Sequence, residues 1–303
     1  LTARRRALSL DLPIAAMDLA VFFGLGSALC YGAGDLLWRV AGRGLGVWRS
    51  SFYGAIVGVT VLSVWLLLAP ALVHAALRAT PGAWEAAVGS GIALEGGSLL
   101  LTQGLVRGSL AVVAPVTATY AAVATILAVL SGERFTPIVG VGLTLIMAGV
   151  CVVAIRRQES REGPHSGTGL GWAMGAALAY GGGVWLQGKF AVPELGSIVP
   201  VWVMHALGAI TLGTVCLARR TKLSLPERGS RAPILAAASL GVGGFIAMTA
   251  GFATGEIALV VVLSSLASAI TVLLGRVCGT THVAIHQWLA IVVIVAGLAL
   301  IHR

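Results

Sequence analysis

The fold is decided by the stretch GSALCYGAG at Gly26–Gly34, because the chain repeats it as GAALAYGGG at Gly175–Gly183, 149 residues later. A second pair follows in the same order, EGGSLLLTQGL at Glu95–Leu105 and VGGFIAMTAGF at Val242–Phe252. Both members keep two adjacent glycines, the Thr and a later Gly. Any one pair of Ala/Gly/Leu-rich helices can match by chance, but matches in one order indicate a duplication. The sequence therefore predicts two homologous halves.

Composition places both halves in a membrane. Charged residues make up 10% of the 303 residues, against roughly 25% in an ordinary soluble protein. The hydrophobic class is 58% and there are 41 glycines besides, so too few polar groups remain to cover the surface of a soluble globule. The apolar segments are long, which is typical of transmembrane helices rather than of barrel strands. The net charge of +9 lies mostly in loops, so it bears on topology rather than on nucleic-acid binding.

The length predicts about ten helices, since about 20 helical residues cross a bilayer. We place them at 18–38, 51–72, 83–105, 110–130, 137–155, 169–189, 198–218, 232–253, 257–278 and 284–302. Five helices in each half is an odd number, so the second half enters the membrane upside down. We predict an all-α polytopic membrane protein of ten transmembrane helices in two inverted five-helix repeats. Inverted repeats are typical of secondary transporters, whose substrate site lies near the midplane between the halves.

The same pattern divides the chain. We assign an N-terminal tail at 1–16, a first five-helix repeat at 17–156, a polar linker at 157–168 and a second five-helix repeat at 169–303. Met17 is the expected true start, which would make the tail a start-site artefact.

Two motifs carry a family resemblance. GAGDLLWRVAGRG at Gly32–Gly44 and APV…SGERFT at Ala114–Thr136, together with the ten-helix layout, resemble the EamA-type transporters of the drug/metabolite transporter superfamily. The resemblance implies a carrier in the bacterial inner (plasma) membrane that exports or exchanges a small organic metabolite, amino acid or drug by alternating access. It implies neither an enzyme nor a cofactor. The second-half position that matches Glu133 is Thr280, which argues against a role for Glu133 that needs a symmetric partner.

Glu95 is the clearest candidate functional residue. It lies near the middle of the third predicted span, on one helical face with Gly91, Ser98 and Thr102. An ionisable group at this depth costs free energy, about 2.5–3.5 kcal/mol on insertion scales, and therefore needs a reason. One interpretation is a cavity group that couples proton movement to transport or pairs with a cationic substrate. The other is a neutral Glu hydrogen-bonded to a neighbouring helix.

Tyr31 and Asp35 share a face of the first predicted span, and Tyr180 and Gln187 share the corresponding face of the sixth. This pattern predicts a polar, aromatic cavity wall supplied by both halves. The alternative for Asp35 is an interfacial pair with Arg39, one turn later. For the two tyrosines, packing or interfacial anchoring explains the pattern equally well.

Two further features lie beside the expected cavity. Pro115 removes a backbone donor from the fourth span and is predicted to kink it there. In the ninth span, Ser264 heads a stripe of small residues whose counterpart in the fourth span begins at Thr117. Small residues allow close helix contact in membranes, so we interpret this stripe as packing between the halves.

Other classes are less well supported. His282 and His286 have metal-ligand spacing without a completing carboxylate, and the chain has no phosphate-binding loop, so we predict no metal site and transport driven by gradients. A non-transporting membrane component, such as a lipid-carrier flippase subunit or scaffold, stays open as the alternative. The expected partners are a small-molecule substrate and the lipid bilayer, not nucleic acid; a homodimer stays open.

Two lines of reasoning disagree on the orientation of the termini. The resemblance implies that both termini are cytoplasmic, but that topology puts seven Lys and Arg residues inside and thirteen outside. The positive-inside rule therefore favours the opposite orientation.

Overall fold

The computed structural model describes residues 16–35, 37, 47–107, 113, 116–154, 169–221, 228–278 and 285–301. Within these ranges the chain forms helices and short turns, with no strand. The helices are α1 Ala16–Asp35, α2 Val47–Leu68, α3 Pro70–Ala76, α4 Pro81–Arg107, α5 Tyr120–Leu130, α6 Pro137–Ala154, α7 Leu170–Leu186, α8 Val192–Leu195, α9 Val199–Ala218, α10 Arg228–Phe252, α11 Ile257–Ser264, α12 Ala267–Val277 and α13 Ile285–Ile301.

Five of these helices are long and apolar enough to cross a membrane. They contain the segments Ala16–Asp35, Trp48–Leu68, Val199–Ala218, Arg231–Phe252 and Ile257–Gly275. Shorter apolar helices cover Val116–Leu130, Pro137–Val152 and Ile285–Leu300. The protein is therefore an all-helical, multi-pass membrane protein.

The helix boundaries follow local chemistry. Pro70, Pro81 and Pro137 each occupy the first position of a helix, where the missing N–H has no intrahelical partner to lose. Gly132 and Gly255 adopt φ of 98° and 89° in the turns after α5 and α10, a conformation that glycine adopts without steric cost. These turns bring successive helices back across the bundle.

Three predicted spans are interrupted where we expected continuous helices. The second predicted span breaks between α2 and α3, because Pro70 cannot continue the hydrogen bonding of α2. The sixth changes at its end into a π-helical turn, Gln187–Ala191. The ninth is divided into α11 and α12 at Ser265–Leu266. Hydrophobic periodicity does not detect these changes, since each lies inside a predominantly apolar span.

Glycines place the helices in direct contact. A Cβ atom at Gly32 of α1 would lie 2.6 Å from Ile270 Cγ2 of α12, and one at Gly181 of α7 would lie 2.5 Å from Val123 Cβ of α5. Close approach through small residues is the usual way in which membrane helices associate. The core between the helices includes all eight residues of α11, which are buried.

Candidate functional site

Two adjoining cavities lie inside the bundle. The smaller, which we call the His205 cavity, has a volume of about 250 Å³ and is lined by Ser51, Glu95, Ser98 and His205 among others. The larger, which we call the Tyr31 cavity, has a volume of about 430 Å³ and is lined by Tyr31, Asp35, Thr117, Tyr120, Ser264 and Ser265 among others. Leu94, Tyr180 and Phe245 line both cavities, so together these form one two-lobed site of ligand-binding size.

Glu95 lines the His205 cavity from the middle of α4, as its position in the sequence predicted. Its carboxylate packs against Gly208 of α9, where a Cβ atom would overlap Oε1. Glycine at 208 therefore makes the space in which this carboxylate lies. Whether Glu95 couples transport stays a prediction.

His205 lies one turn before Gly208 and was not predicted from the sequence. Its ring is stacked on Gly58 of α2, and its Nδ1 lies 2.9 Å from the carbonyl oxygen of Val201. Because that oxygen can only accept, Nδ1 carries the proton and the tautomer is fixed. The only sequence signal was one polar residue in an apolar span, which more often indicates a core histidine.

The aromatic residues form a wall shared by both halves. Tyr31 packs on Gly244 of α10 and meets Phe245 edge-on, with ring centroids 5.3 Å apart. Tyr180 packs on Gly97 of α4. Its ring centroid is 6.1 Å from that of Tyr120, a lining residue that sequence reasoning missed.

Asp35 lies at the end of α1, exposed, and lines the Tyr31 cavity. Its Oδ2 accepts a 3.4 Å hydrogen bond from the Thr271 hydroxyl of α12. Its alternative partner Arg39 lies outside the described residues. This placement brings a carboxylate from α1 together with the tyrosine wall, and a role for Asp35 in the site stays a prediction.

The remaining predicted site residues differ in how far the structure describes them. Gln187 is fully buried in the π-helical turn and is not among the residues that line either cavity. Thr102 lies on α4, but its side chain is not described, and Pro115 lies outside the described residues. Within the described ranges, no three His, Cys, Asp or Glu side chains are grouped as metal ligands would be.

The end of the bundle at which α6 and α11 begin is tied together by two carboxylates. Glu133, in the turn after α5, accepts a 2.9 Å hydrogen bond from the N–H of Ala258 in the first turn of α11. Glu194 of α8 accepts 2.7 Å and 3.0 Å bonds from the N–H and hydroxyl of Thr80, just before α4. A carboxylate at a helix N-terminus is favoured by unpaired N–H groups and by the helix dipole. We call these two contacts the carboxylate ties.

Neighbouring groups change the pKa of Glu133, the carboxylate of the first tie. Burial raises the pKa of Glu133 to about 7, and the Glu256 carboxylate raises it too, whereas the N–H groups of Ala258 and Ile257 and the Lys189 ammonium lower it. Lys189 also donates a 3.0 Å hydrogen bond to the Ser131 carbonyl oxygen. Glu133 thus joins the turn after α5 to the start of α11, a link that the sequence did not predict.

The fold and the cavities define a class, the multi-pass helical membrane proteins with a polar and aromatic cavity between their helices. The EamA-like transporter family matches residues 18–155 and again 167–303. The chain therefore belongs to the EamA-like transporter family, whose members are membrane transporters of the drug/metabolite transporter superfamily rather than typical enzymes.

A solved structure agrees with the fold. One crystal structure, whose description says only that it is of a protein, is similar with a TM-score of 0.74 and 20% identity, over 93% of this chain and 95% of that one. At this identity the likeness concerns the fold alone. No curated protein matches the sequence.

Proposed function

We propose that the protein is a secondary transporter that moves a small organic metabolite, amino acid or drug by alternating access in the bacterial inner membrane. The observation that carries the proposal is the two-lobed cavity, whose lining residues come from both family repeats. Secondary transporters place their site in the same position, between structural repeats.

The proposal includes ten spans in two inverted halves. Its support is a set of reciprocal contacts. Gly32 meets Ile270 while its repeat equivalent Gly181 meets Val123, the equivalent of Ile270. Such exchange of partners is expected of two units related by a two-fold axis.

The direction of that axis is argued from α6 and α13, the last helix of each repeat. A Cβ atom at Gly149 would meet Ile294, and one at Gly297 would meet Ile146. On α6 Ile146 precedes Gly149, whereas on α13 the partner of Ile146 follows the partner of Gly149. The two helices therefore run antiparallel. Equivalent helices that run antiparallel support an axis in the membrane plane, and hence inversion.

The shape of the cavity supports alternating access. Its lining residues lie near the end of α1 and the start of α2, whereas α11 is buried and the carboxylate ties lie at the opposite end. We interpret this arrangement as a state open at one end and closed at the other. The opposite state requires the ties to separate.

Glu95 is our candidate for the coupling group, because a carboxylate in a low-dielectric cavity can exchange a proton with the substrate side. A comparison of metabolites accumulated by a deletion strain and its parent identifies the substrate. Flux of that substrate into proteoliposomes is then measured with and without a proton gradient. We expect the gradient to accelerate the wild type and not Glu95→Gln; equal flux in all four conditions would refute coupling through Glu95.

A further inference from the structure

Two hydroxyl groups at equivalent positions of the repeats point to a substrate subsite. Thr117, just before α5, and Ser264, at the end of α11, occupy matching positions 147 residues apart. Both line the Tyr31 cavity. Thr117 is 8% exposed and Ser264 0%, and within the part of the chain that the structure describes neither hydroxyl oxygen has a hydrogen-bond partner. Burying a hydroxyl without a partner costs free energy, so this pair needs an explanation.

The buried hydroxyls of Ser27 and Tyr31 on α1 also have no partner within the described residues, but the hydroxyls next to Thr117 and Ser264 in their own helices are bonded. The Thr119 hydroxyl donates to the carbonyl oxygen of Val116 at 2.6 Å, and that of Ser265 donates to Val262 at 2.6 Å. Such bonding to a helix's own carbonyl oxygen is the usual way to satisfy a hydroxyl in an apolar helix. Thr117 and Ser264 lack this bond and line the cavity instead.

The backbone beside each hydroxyl is interrupted in the same way. The N–H of Thr119 bonds the carbonyl oxygen of Val116 at 3.2 Å, and at the equivalent position Leu266 bonds Leu263 at 3.1 Å. Both are tightened turns within the fourth helix of a repeat. Discontinuous helices beside a central cavity are a common feature of substrate sites in secondary transporters. Our interpretation of the Ser264 stripe as packing therefore does not extend to Ser264 itself.

The charges of the cavity indicate what the hydroxyl pair binds. Asp35 lines the same cavity from its exposed position at the end of α1, and Glu95 lines the adjoining cavity, so the two acidic side chains favour a cationic ligand over an anionic one. Tyr31, Tyr120 and Phe245 supply aromatic faces, which attract cations and cover apolar groups. An ammonium group has three N–H donors and no acceptor, which suits two hydroxyl oxygens near negative charge.

Building on the proposed transport function, we propose that Thr117 and Ser264 bind the ammonium group of an organic amine whose apolar or aromatic body lies against the tyrosine wall. The hydroxyl oxygens accept hydrogen bonds from the ammonium, one from each half of the protein. Asp35 and Glu95 supply the compensating charge. The pair would then distinguish amines from neutral or anionic compounds of the same shape.

The test measures binding to the purified full-length chain in detergent by titration calorimetry, near neutral pH. The probes are phenethylamine, its neutral counterpart phenethyl alcohol and the anion hydrocinnamate, which share an aromatic body. We expect saturable binding of the amine at least about tenfold tighter than of the alcohol or the anion, because hydrogen bonds to a charged group are stronger than neutral ones. Absence of amine binding, or equal binding of the alcohol, would overturn the ammonium assignment.

The variants test the residues. Thr117→Val and Ser264→Ala should each weaken amine binding about tenfold, while Thr119→Val, whose hydroxyl bonds its own helix, should leave it unchanged. Thr117→Ser keeps the hydroxyl and should retain binding, which separates a lost hydrogen bond from misfolding. Amine binding that is unchanged in Thr117→Val and Ser264→Ala would overturn the subsite. Because the assay measures no transport, its failure is distinguishable from a failure of gradient-driven flux.

Discussion

At the residue scale, glycine decides where the polar side chains of the cavity lie. Gly58 and Gly208 have no side chain where the His205 ring and the Glu95 carboxylate pack. The absence of a side chain at these two glycines thus leaves room for two ionisable groups in an apolar bundle. The positions of His205 and Glu95 therefore depend on glycines, which carry no functional group.

This dependence predicts that Gly58→Ala and Gly208→Ala destabilise the protein. The new methyl groups would overlap the His205 ring and the Glu95 carboxylate respectively. Overpacking costs typically about 1–3 kcal/mol, and the loss should be smaller for Gly208→Ala because the end of the flexible Glu95 side chain can move. Gly182→Ala on α7 is the matched control, because a Cβ atom there meets nothing within 4 Å and alanine favours a helix by up to about 1 kcal/mol. Thermal unfolding in detergent should rank Gly182→Ala at or above the wild type and the other two below it.

Sequence reasoning at this scale singles out residues whose type is improbable in a membrane, and their functional role stays a prediction. Glu95 and Asp35 stand out because charge is costly there, and both line the cavity. Tyr120, His205 and Thr117 were missed or read as packing, since aromatic, His and Thr residues are also ordinary components of helix packing. Only the three-dimensional arrangement shows that all three residues line the two-lobed cavity.

At the element scale, the turns at the closed end act as connections between helices. Glu133 bonds the first turn of α11, and Glu194 bonds the segment before α4. Each carboxylate comes from one family repeat and caps a helix of the other. Sequence reasoning argued only against a role for Glu133 that needs a symmetric partner, and the hydrogen bond to Ala258 needs none.

Removing charge from the ties should favour opening of this end. At about pH 8, above the pKa of Glu133 of about 7, Glu133→Gln and Glu194→Gln weaken hydrogen bonds that involve an ionised acceptor. In a background without the native cysteines, we expect Leu259→Cys of α11, 2% exposed, to react with a maleimide several-fold faster in either variant. Glu85→Gln, an exposed glutamate of α4, is the control and should not change the rate. A rate unaffected by Glu133→Gln and Glu194→Gln would show that the ties do not hold this end closed.

The stability of the protein should also depend on pH through Glu133. Its pKa is raised from an ordinary value of 4.5 to about 7, so the folded protein binds this proton more tightly than the unfolded chain. Stability from this group is therefore full below about pH 4.5 and declines as the pH rises to about 7. Melting temperatures measured across this interval should fall less steeply for Glu133→Gln than for the wild type, and parallel profiles would contradict the assignment.

At the scale of the whole molecule, the layout was largely predictable and its interruptions were not. Hydropathy located the apolar segments, and matched motifs located the repeats, because both signals accumulate over many residues. The π-helical turn at Gln187 and the break after Ser264 arise from backbone hydrogen bonding, which composition does not record. Thr117, Ser264 and Ser265 of the Tyr31 cavity lie beside departures from regular helix.

The proposed two-fold relation makes its own prediction at α6 and α13. A Cβ atom at Gly149 would lie 2.6 Å from Ile294 Cγ1, and one at Gly297 would lie 2.8 Å from Ile146 Cγ1. Gly149→Leu and Gly297→Leu should therefore lower the melting temperature by similar amounts, since each places equal bulk in an equivalent contact.

The double variant tests whether these positions form one interface. Once the helices have separated to admit the first leucine, the second costs less, so the combined loss should be smaller than the sum of the single losses. Thermal unfolding of the two single variants and the double variant in detergent measures this coupling. Strictly additive losses of clearly unequal size would indicate two independent sites and would remove the support that this contact gives to the two-fold axis.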